Sequence, residues 1–315
     1  VIHQFVPLDR SRWVRKFFDH WRPDLVLWVE SEFWPNLLCE MGARGIPSVL
    51  VNARVSPNSY EGWRKWPVLI GRLLNNFELC LAQTDDDARK LKVLGAKRVV
   101  CRGNLKFSSA PLPFDEMEFQ NLQQNIGDRS VWLAASTHPG EEAIVADAHQ
   151  RIRATRRNTL AIIVPRHPAR GAVIAEELRA DGSVVRLRSL EEPLTCDTEF
   201  YIADSMGELG LFFRLADAAF IGGSLIPHGG QNPLEAALLG CAIVHGPNMT
   251  NFSAIVDELD AAGAIVEAAS SEAIARAVGR LIDEPDERAR RIVAARNIAV
   301  SKAGILDDVV SELTP

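Results

Sequence analysis

Cysteine is scarce and scattered: five residues, at positions 39, 80, 101, 196 and 241, with no CxxC pair. An odd, dispersed set argues against a disulfide framework and a zinc site, and fits a reducing compartment. Long apolar runs are lacking too: none approaches the roughly 18–20 residues that span a bilayer, and no signal peptide opens the chain. Positive charge is in deficit, with 35 Lys and Arg against 41 Asp and Glu and a formal net charge of -6. A duplex nucleic-acid binder, expected to be basic, is thereby disfavoured. The fingerprints GxGxxG and GxxxxGKS/T are missing, which disfavours a dehydrogenase or a P-loop enzyme. Neither disorder nor a collagen-like chain fits 47% hydrophobic and 24% charged residues.

What the sequence has is length and alternation. Its 315 residues suggest two domains at roughly 150 residues each. Short Val, Ile and Leu runs predict strands at 1–5, 25–29, 48–52, 79–83, 99–101, 131–135, 160–164, 184–187, 200–203, 218–221, 242–244 and 264–266. Helix-length stretches lie between most of them: 12–21, 37–44, 85–94, 141–153, 170–181, 233–239 and 272–283, with charged helical sequence over 284–297. Apolar strands alternating with helices predict parallel sheets covered on both faces, a doubly wound α/β fold. The boundary falls in 103–113 (GNLKFSSAPLP), where periodicity stops, giving domains 1–107 and 108–315. Val1 begins inside a strand-like run and is not Met, which reads as an incomplete first domain.

The most informative stretch is 222–239, GGSLIPHGGQNPLEAALL. A strand runs into a Gly-rich loop, and a helix begins at Asn232-Pro233, with Asn as N-cap, Pro in the first turn and Glu235 at the third position. Glycines permit close approach, and the free N–H groups of a helix start favour an anion such as phosphate. An ordinary βα turn is the plainer alternative. Segments 134–142 (AASTHPGEE) and 206–209 (MGEL) repeat the pattern, offering Ser136, Thr137 and His138. Each alone is as easily a cap as a site; together they place three strand ends around one crevice. VPRHP at 164–168 adds Arg166, a forked cation suited to phosphate or to a loop salt bridge.

In the first domain, LVLWVESEFWPN at 25–36 ends a strand at Glu30, where a carboxylate faces a crevice in such sheets. Glu32 reads better as a helix cap. Lys106 sits in the linker, and chemistry alone does not select it. Asp85, Asp86 and Asp87 follow Thr84 at a helix start, an N-cap pattern and not a metal site. No other acidic or histidine cluster has ligand spacing, so no metal is expected. Trp13, Val14, Phe17, Phe18 and Trp21 share one helical face with a basic rim and read as core. Trp63 and Trp66 among Arg54, Arg64, Lys65 and Arg72 read as a loop meeting an anionic lipid surface.

ESEFWPN, VNAR, GNLKF, STHxGEE, VPRHP, SMGEL, GGSL, GGQNPLEAALLG and GPxxxNF occur here in order. This series resembles the 3-deoxy-D-manno-octulosonic acid (Kdo) transferases, GT-B glycosyltransferases of lipopolysaccharide assembly. The resemblance implies two Rossmann-like domains and transfer of Kdo from CMP-Kdo to the lipid A precursor (lipid IVA). It implies inversion, no cofactor and no required metal, at the membrane surface on the cytoplasmic face of the inner membrane. It also implies that Pro165, Arg166, Met206, Gly207, Glu208, Asn232, Pro233, Leu234 and Glu235 bind CMP, with Glu30 and Lys106 supporting the transition state. The family's membrane anchor and the first βα unit, which carries the glutamate taken as general base, have no counterpart in these residues, so the resemblance implies that these residues alone bind CMP-Kdo but turn it over poorly. Three smaller departures are Ser108 after LKF, Ala203 and Asn248. A UDP-sugar-dependent GT-B transferase or epimerase, or a nucleotide-binding protein without chemistry, is the alternative reading.

Overall fold

The computed structural model describes residues 1–108 and 111–313. The chain divides into two compact units, Val1–Ser108 with Gly304–Pro315, and Ser109–Ala303. Of the linker 103–113, residues 109 and 110 lie outside the described residues.

The first unit runs α1 (Ser11–Trp21), β1 (Val26–Val29), α2 (Pro35–Ala43), β2 (Ser48–Ala53), α3 (Pro57–Arg64), α4 (Pro67–Leu74), β3 (Leu79–Ala82), α5 (Asp85–Val93) and β4 (Val99–Cys101). Its strands are parallel in the order β1-β2-β3-β4. Leu50, Ala53, Cys80 and Ala82 pack with Val14, Leu38, Ile70 and Leu91 of the helices. Residues 1–5 are not a strand. They carry no ladder bonds, and Val1, Ile2 and Phe5 are exposed. Apolar alternation makes a strand only where a partner ladder exists, and β1 pairs with β2 alone.

The stretch around Trp63 and Trp66 is also not a loop. Pro57 and Pro67 each open a short helix, and Ser56 Oγ accepts the Ser59 N–H to cap the first. Helices of eight residues are too short for their period to be seen through the interleaved charges. Trp66 remains exposed there, as do Val68 and Leu69. Elsewhere two readings fail and two hold: Trp13 is 48% exposed and not core, and Glu32 does not cap α2, whose first amides at Asn36 and Leu37 donate to Asp9. Val14 and Phe18 are buried, and Thr84 Oγ1 accepts the Asp87 N–H.

The second unit runs α6 (Glu116–Ile126), β5 (Ser130–Thr137), α7 (Glu141–Arg153), β6 (Thr159–Pro165), α8 (Gly171–Ala180), β7 (Val185–Leu187), β8 (Phe200–Ile202), α9 (Leu209–Leu215), β9 (Ala218–Ile221), α10 (Pro233–Leu238), β10 (Ala242–His245), α11 (Ser253–Ala261), β11 (Ile265–Glu267), α12 (Ser271–Asp283) and α13 (Pro285–Ala303). The parallel sheet has the order β11-β10-β9-β5-β6-β8-β7. From β5 the chain builds outward on one side, then crosses back to lay β9 on the other. That reversal opens a crevice at the carboxyl ends of β5 and β9, where open α/β sheets bind ligands. Trp132, Phe200 and Phe220 fill the core with Val145, Ile163 and Val278. Among them Trp132 Nε1 donates to Nδ1 of the fully buried His149 at 3.0 Å.

The last helix, α14 (Ile305–Leu313), belongs with the first unit and not with the second domain where the sequence places it. The reason is burial. Ile305 and Val309 cover Val49, Val51, Leu79 and Leu81, on the face of the first sheet that its own crossover helices leave open. Among the described residues no helix is long and apolar enough to cross a membrane.

Candidate functional site

A cavity of about 300 Å³ opens in the second unit, lined among others by Ser136, Arg166, Gly207, Gln231, Asn232 and Glu235. These come from the ends of β5 and β6, the turn before α9 and the entry to α10. Strand-end loops that are far apart in sequence thus meet in one place. Four larger hollows among the described residues lack this placement, and two of them are the most extensive. One, of about 580 Å³, lies beside Arg188 and Tyr201. The other, of about 660 Å³, is an apolar trough along β1 that reaches Glu30. The smaller cavity is the better candidate for an anionic ligand because it sits at the switch point and offers a cation and a carboxylate together.

Asn232 caps α10, its Oδ1 accepting the Leu234 N–H at 3.1 Å. Burial raises the pKa of Glu235 against the opposing pull of its Asn232 hydrogen bond and the Arg166 charge. Arg166 is held through its main chain, donating its N–H to the Thr137 carbonyl at 2.9 Å, while its side chain stays exposed. Of the residues the family resemblance selects, Arg166, Gly207, Asn232 and Glu235 line the cavity. Pro165, Pro233 and Leu234 are buried in the elements behind it, and Met206 is exposed. Glu208 is ion-paired with Arg188 at 2.6 Å and hydrogen-bonded to Ser205. It thereby ties down the turn that carries Gly207.

The Gly-rich loop works differently from the sequence expectation. Its first amides, at 223–225, are not free for an anion, because the chain supplies its own. Glu141, 0% exposed, accepts N–H bonds from His138 (3.0 Å) and Gly223 (2.7 Å) on Oε2, and from Ser224 (3.1 Å) and Leu225 (3.0 Å) on Oε1. One buried carboxylate therefore fastens the β9–α10 loop to the start of α7. Gly222 is required for packing: a Cβ there would stand 2.4 Å from the Ser136 carbonyl oxygen. The glycines serve loop against loop, and no sequence pattern separates that use from ligand approach.

A histidine group lies beside the cavity; the sequence offers His138 but neither His228 nor the grouping. The His138 and His228 rings lie 3.9 Å apart, and His167 lies 6.4 Å from His138. Gln231, a cavity residue, is 3.1 Å from His138 Nε2. Burial and the neighbouring His228 hold the His138 pKa below its usual value. The available signal was position, since all three follow strand ends.

In the first unit, Glu30 Oε1 and Lys106 Nζ pair at 2.8 Å, both partly exposed. Glu30 is a non-glycine residue at φ 63, a conformation that turns it out of β1. The structure thus joins two residues 76 positions apart (106 minus 30) that only the resemblance had linked.

Two parallel α/β sheets with a ligand crevice at strand ends define the GT-B class. Residues 1–109 match the family described as 3-Deoxy-D-manno-octulosonic-acid transferase (kdotransferase). The 3-deoxy-D-manno-octulosonic acid transferase of Haemophilus influenzae is 32% identical over 100% of this chain and 75% of that enzyme. That of Rickettsia felis is 35% identical over 79% of this chain and 53% of its own, so the chain spans about half that relative's length. Among solved structures, the C-terminal CMP-Kdo binding domain of WaaA from Acinetobacter baumannii is 32% identical, covering 58% of this chain and 96% of that one, with a TM-score of 0.55. An E. coli trehalose-6-phosphate structure bound with UDP-2-fluoro glucose, 14% identical at a TM-score of 0.57 over 96% of this chain and 76% of that one, shares the fold alone. The chain belongs to the 3-deoxy-D-manno-octulosonic acid transferase family.

Proposed function

We propose that this protein transfers Kdo from CMP-Kdo to a lipid A precursor at the cytoplasmic face of the inner membrane, with inversion and without a metal. One observation carries the reading. The cavity lined by Arg166, Gln231, Asn232 and Glu235 stands at the strand ends of the unit that is similar to a CMP-Kdo binding domain. An acceptor hydroxyl bonds to the anomeric carbon and gives up its proton to water as the bond from that carbon to the phosphate oxygen breaks, and CMP departs with the electron pair. Arg166 offsets the charge gathering on the phosphate, and its fixed fork makes it better suited than a lysine. Glu235 accepts hydrogen bonds from ribose hydroxyls, and Asn232 and Gly207 shape the pocket around the base and sugar. Pro165, Pro233, Leu234 and Glu208 hold the loops that present these groups, and Met206, exposed beside Gly207, contacts CMP. Glu30 and Lys106 support the transition state.

The test is product formation from CMP-Kdo and a lipid A precursor by the intact protein as wild type, Glu30→Gln and Lys106→Ala. The expected result is turnover by wild type and a loss on the order of 10²–10⁴ in kcat for each variant, with CMP affinity retained. Wild-type turnover with a UDP-sugar and none with CMP-Kdo would overturn the reading.

A further inference from the structure

Strand β2 holds an irregularity that the transferase reading does not use. Leu50 pairs with Cys80 but Ala53 with Ala82, so three steps along β2 match two along β3. The extra residue is Asn52, 4% exposed and at φ 55. A left-handed residue inside a strand is a bulge, and such bulges recur where a side chain must be re-aimed. Here the polar groups freed by the bulge are used. The Asn52 carbonyl accepts Gln83 Nε2 at 3.0 Å, and Asn52 Oδ1 accepts the Leu105 N–H at 3.0 Å.

Leu105 opens the short 3-10 turn Leu105–Phe107, whose middle residue is Lys106. The preceding β2 residue holds the other half of the pair, since the Val51 carbonyl accepts the Glu30 N–H at 2.9 Å. Consecutive residues of one strand therefore fix both members of the Glu30–Lys106 pair. Val51 holds the Glu30 amide and Asn52 the Leu105 amide, while the Lys106 amide itself donates to Asn104 Oδ1 at 3.0 Å.

We infer that Asn52 is a positioning residue for Lys106, acting through the Leu105 amide. The inference rests on the role proposed for Lys106. A bulge alone would be served as well by glycine, which adopts φ 55 without strain; what glycine lacks is the acceptor oxygen. Asn is one of the few other residues that tolerates this backbone and carries such an oxygen.

Four variants of the intact protein separate the possibilities: Asn52→Asp, Asn52→Gly, Asn52→Ala and Lys106→Ala. Each is followed by Kdo transfer kinetics and by hydrogen exchange at the Leu105 amide. Asn52→Asp keeps an acceptor and is expected to retain kcat within about threefold. Asn52→Gly is expected to fold, to lose Leu105 protection and to drop kcat on the order of 10²-fold with KM for CMP-Kdo unchanged, as misplacement of a reacting group does. Asn52→Ala should resemble Asn52→Gly. Full kcat in Asn52→Gly, while Lys106→Ala is inactive, would overturn the inference and leave the role of Lys106 standing. Wild-type kcat in Lys106→Ala would remove that role itself.

Discussion

Glu141 Oε2 accepts the main-chain N–H of Gly223 at 2.7 Å, across 82 residues of chain. With the amides of His138, Ser224 and Leu225 on the same carboxylate, the Gly-rich loop is clamped before any ligand arrives. The loop that leads to Gln231 and Asn232 thus starts from a fixed point.

Removing that clamp should be costly. Glu141→Gln leaves one acceptor oxygen for four buried donors and turns an amide NH2 toward the rest. A destabilisation of about 2–4 kcal/mol is expected, since buried unsatisfied groups cost about 1–3 kcal/mol each and the loop relaxes part of it. Urea unfolding measures it, and weaker CMP binding should accompany it. A variant as stable as wild type would show that the loop holds itself.

Gly222→Ala probes the same seam from the other side. Its Cβ would press on the Ser136 carbonyl at 2.4 Å, and both atoms are main-chain supported. The expected outcome is at least a tenfold loss of CMP affinity with a loss of stability of about 1–3 kcal/mol, the usual cost of overpacking. Titration calorimetry and thermal unfolding check the two parts, and unchanged affinity would disconnect the seam from the site.

Glu208→Gln distinguishes support from contact. Its carboxylate is held below the usual range chiefly by its hydrogen bond to Arg188. Breaking this partly buried pair should lower stability by about 1–3 kcal/mol, because Arg188 then loses one of its two carboxylate partners and keeps Glu118. CMP affinity should fall far less than in Arg166→Ala. An equal fall in affinity would place Glu208 in direct contact with the nucleotide.

His149 should give the stability curve an acid limb. Burial pushes its pKa down from 6.5 to about 3. The folded protein thus keeps it neutral while the unfolded chain protonates it. Stability is complete above about 6.5 and is lost as pH falls toward 3, at up to about 1.4 kcal/mol per pH unit from this one group. His149→Gln can still accept from Trp132 and does not titrate. Its unfolding free energy should fall less steeply between pH 7 and pH 5 than that of wild type, and parallel slopes would contradict the assignment.

Much of the fold was legible because parallel strands buried on two faces must be apolar throughout, and β3 and β9 have no polar residue to break the run. The α7 limits were readable for a similar local reason, a Gly before paired glutamates. The short helices α3 and α4 carry local start signals, Ser56-Pro57 and Pro67, but too few turns to show a period, and α14's placement on the first sheet depends on tertiary cover that no local pattern carries. At the site, Arg166 and Asn232 could be found from residue type and position. The pairing of Glu141 with the loop amides could not. A glutamate at a helix start satisfies the local rule for helix dipoles whether or not its carboxylate reaches another loop.

The most direct test is calorimetric titration of the protein and of Arg166→Ala and Glu235→Ala with CMP and with UDP. The expected result is a clear preference of wild type for CMP, reduced at least tenfold in each variant, with unfolding curves little changed. Tighter binding of UDP, or CMP binding indifferent to both substitutions, would contradict the account.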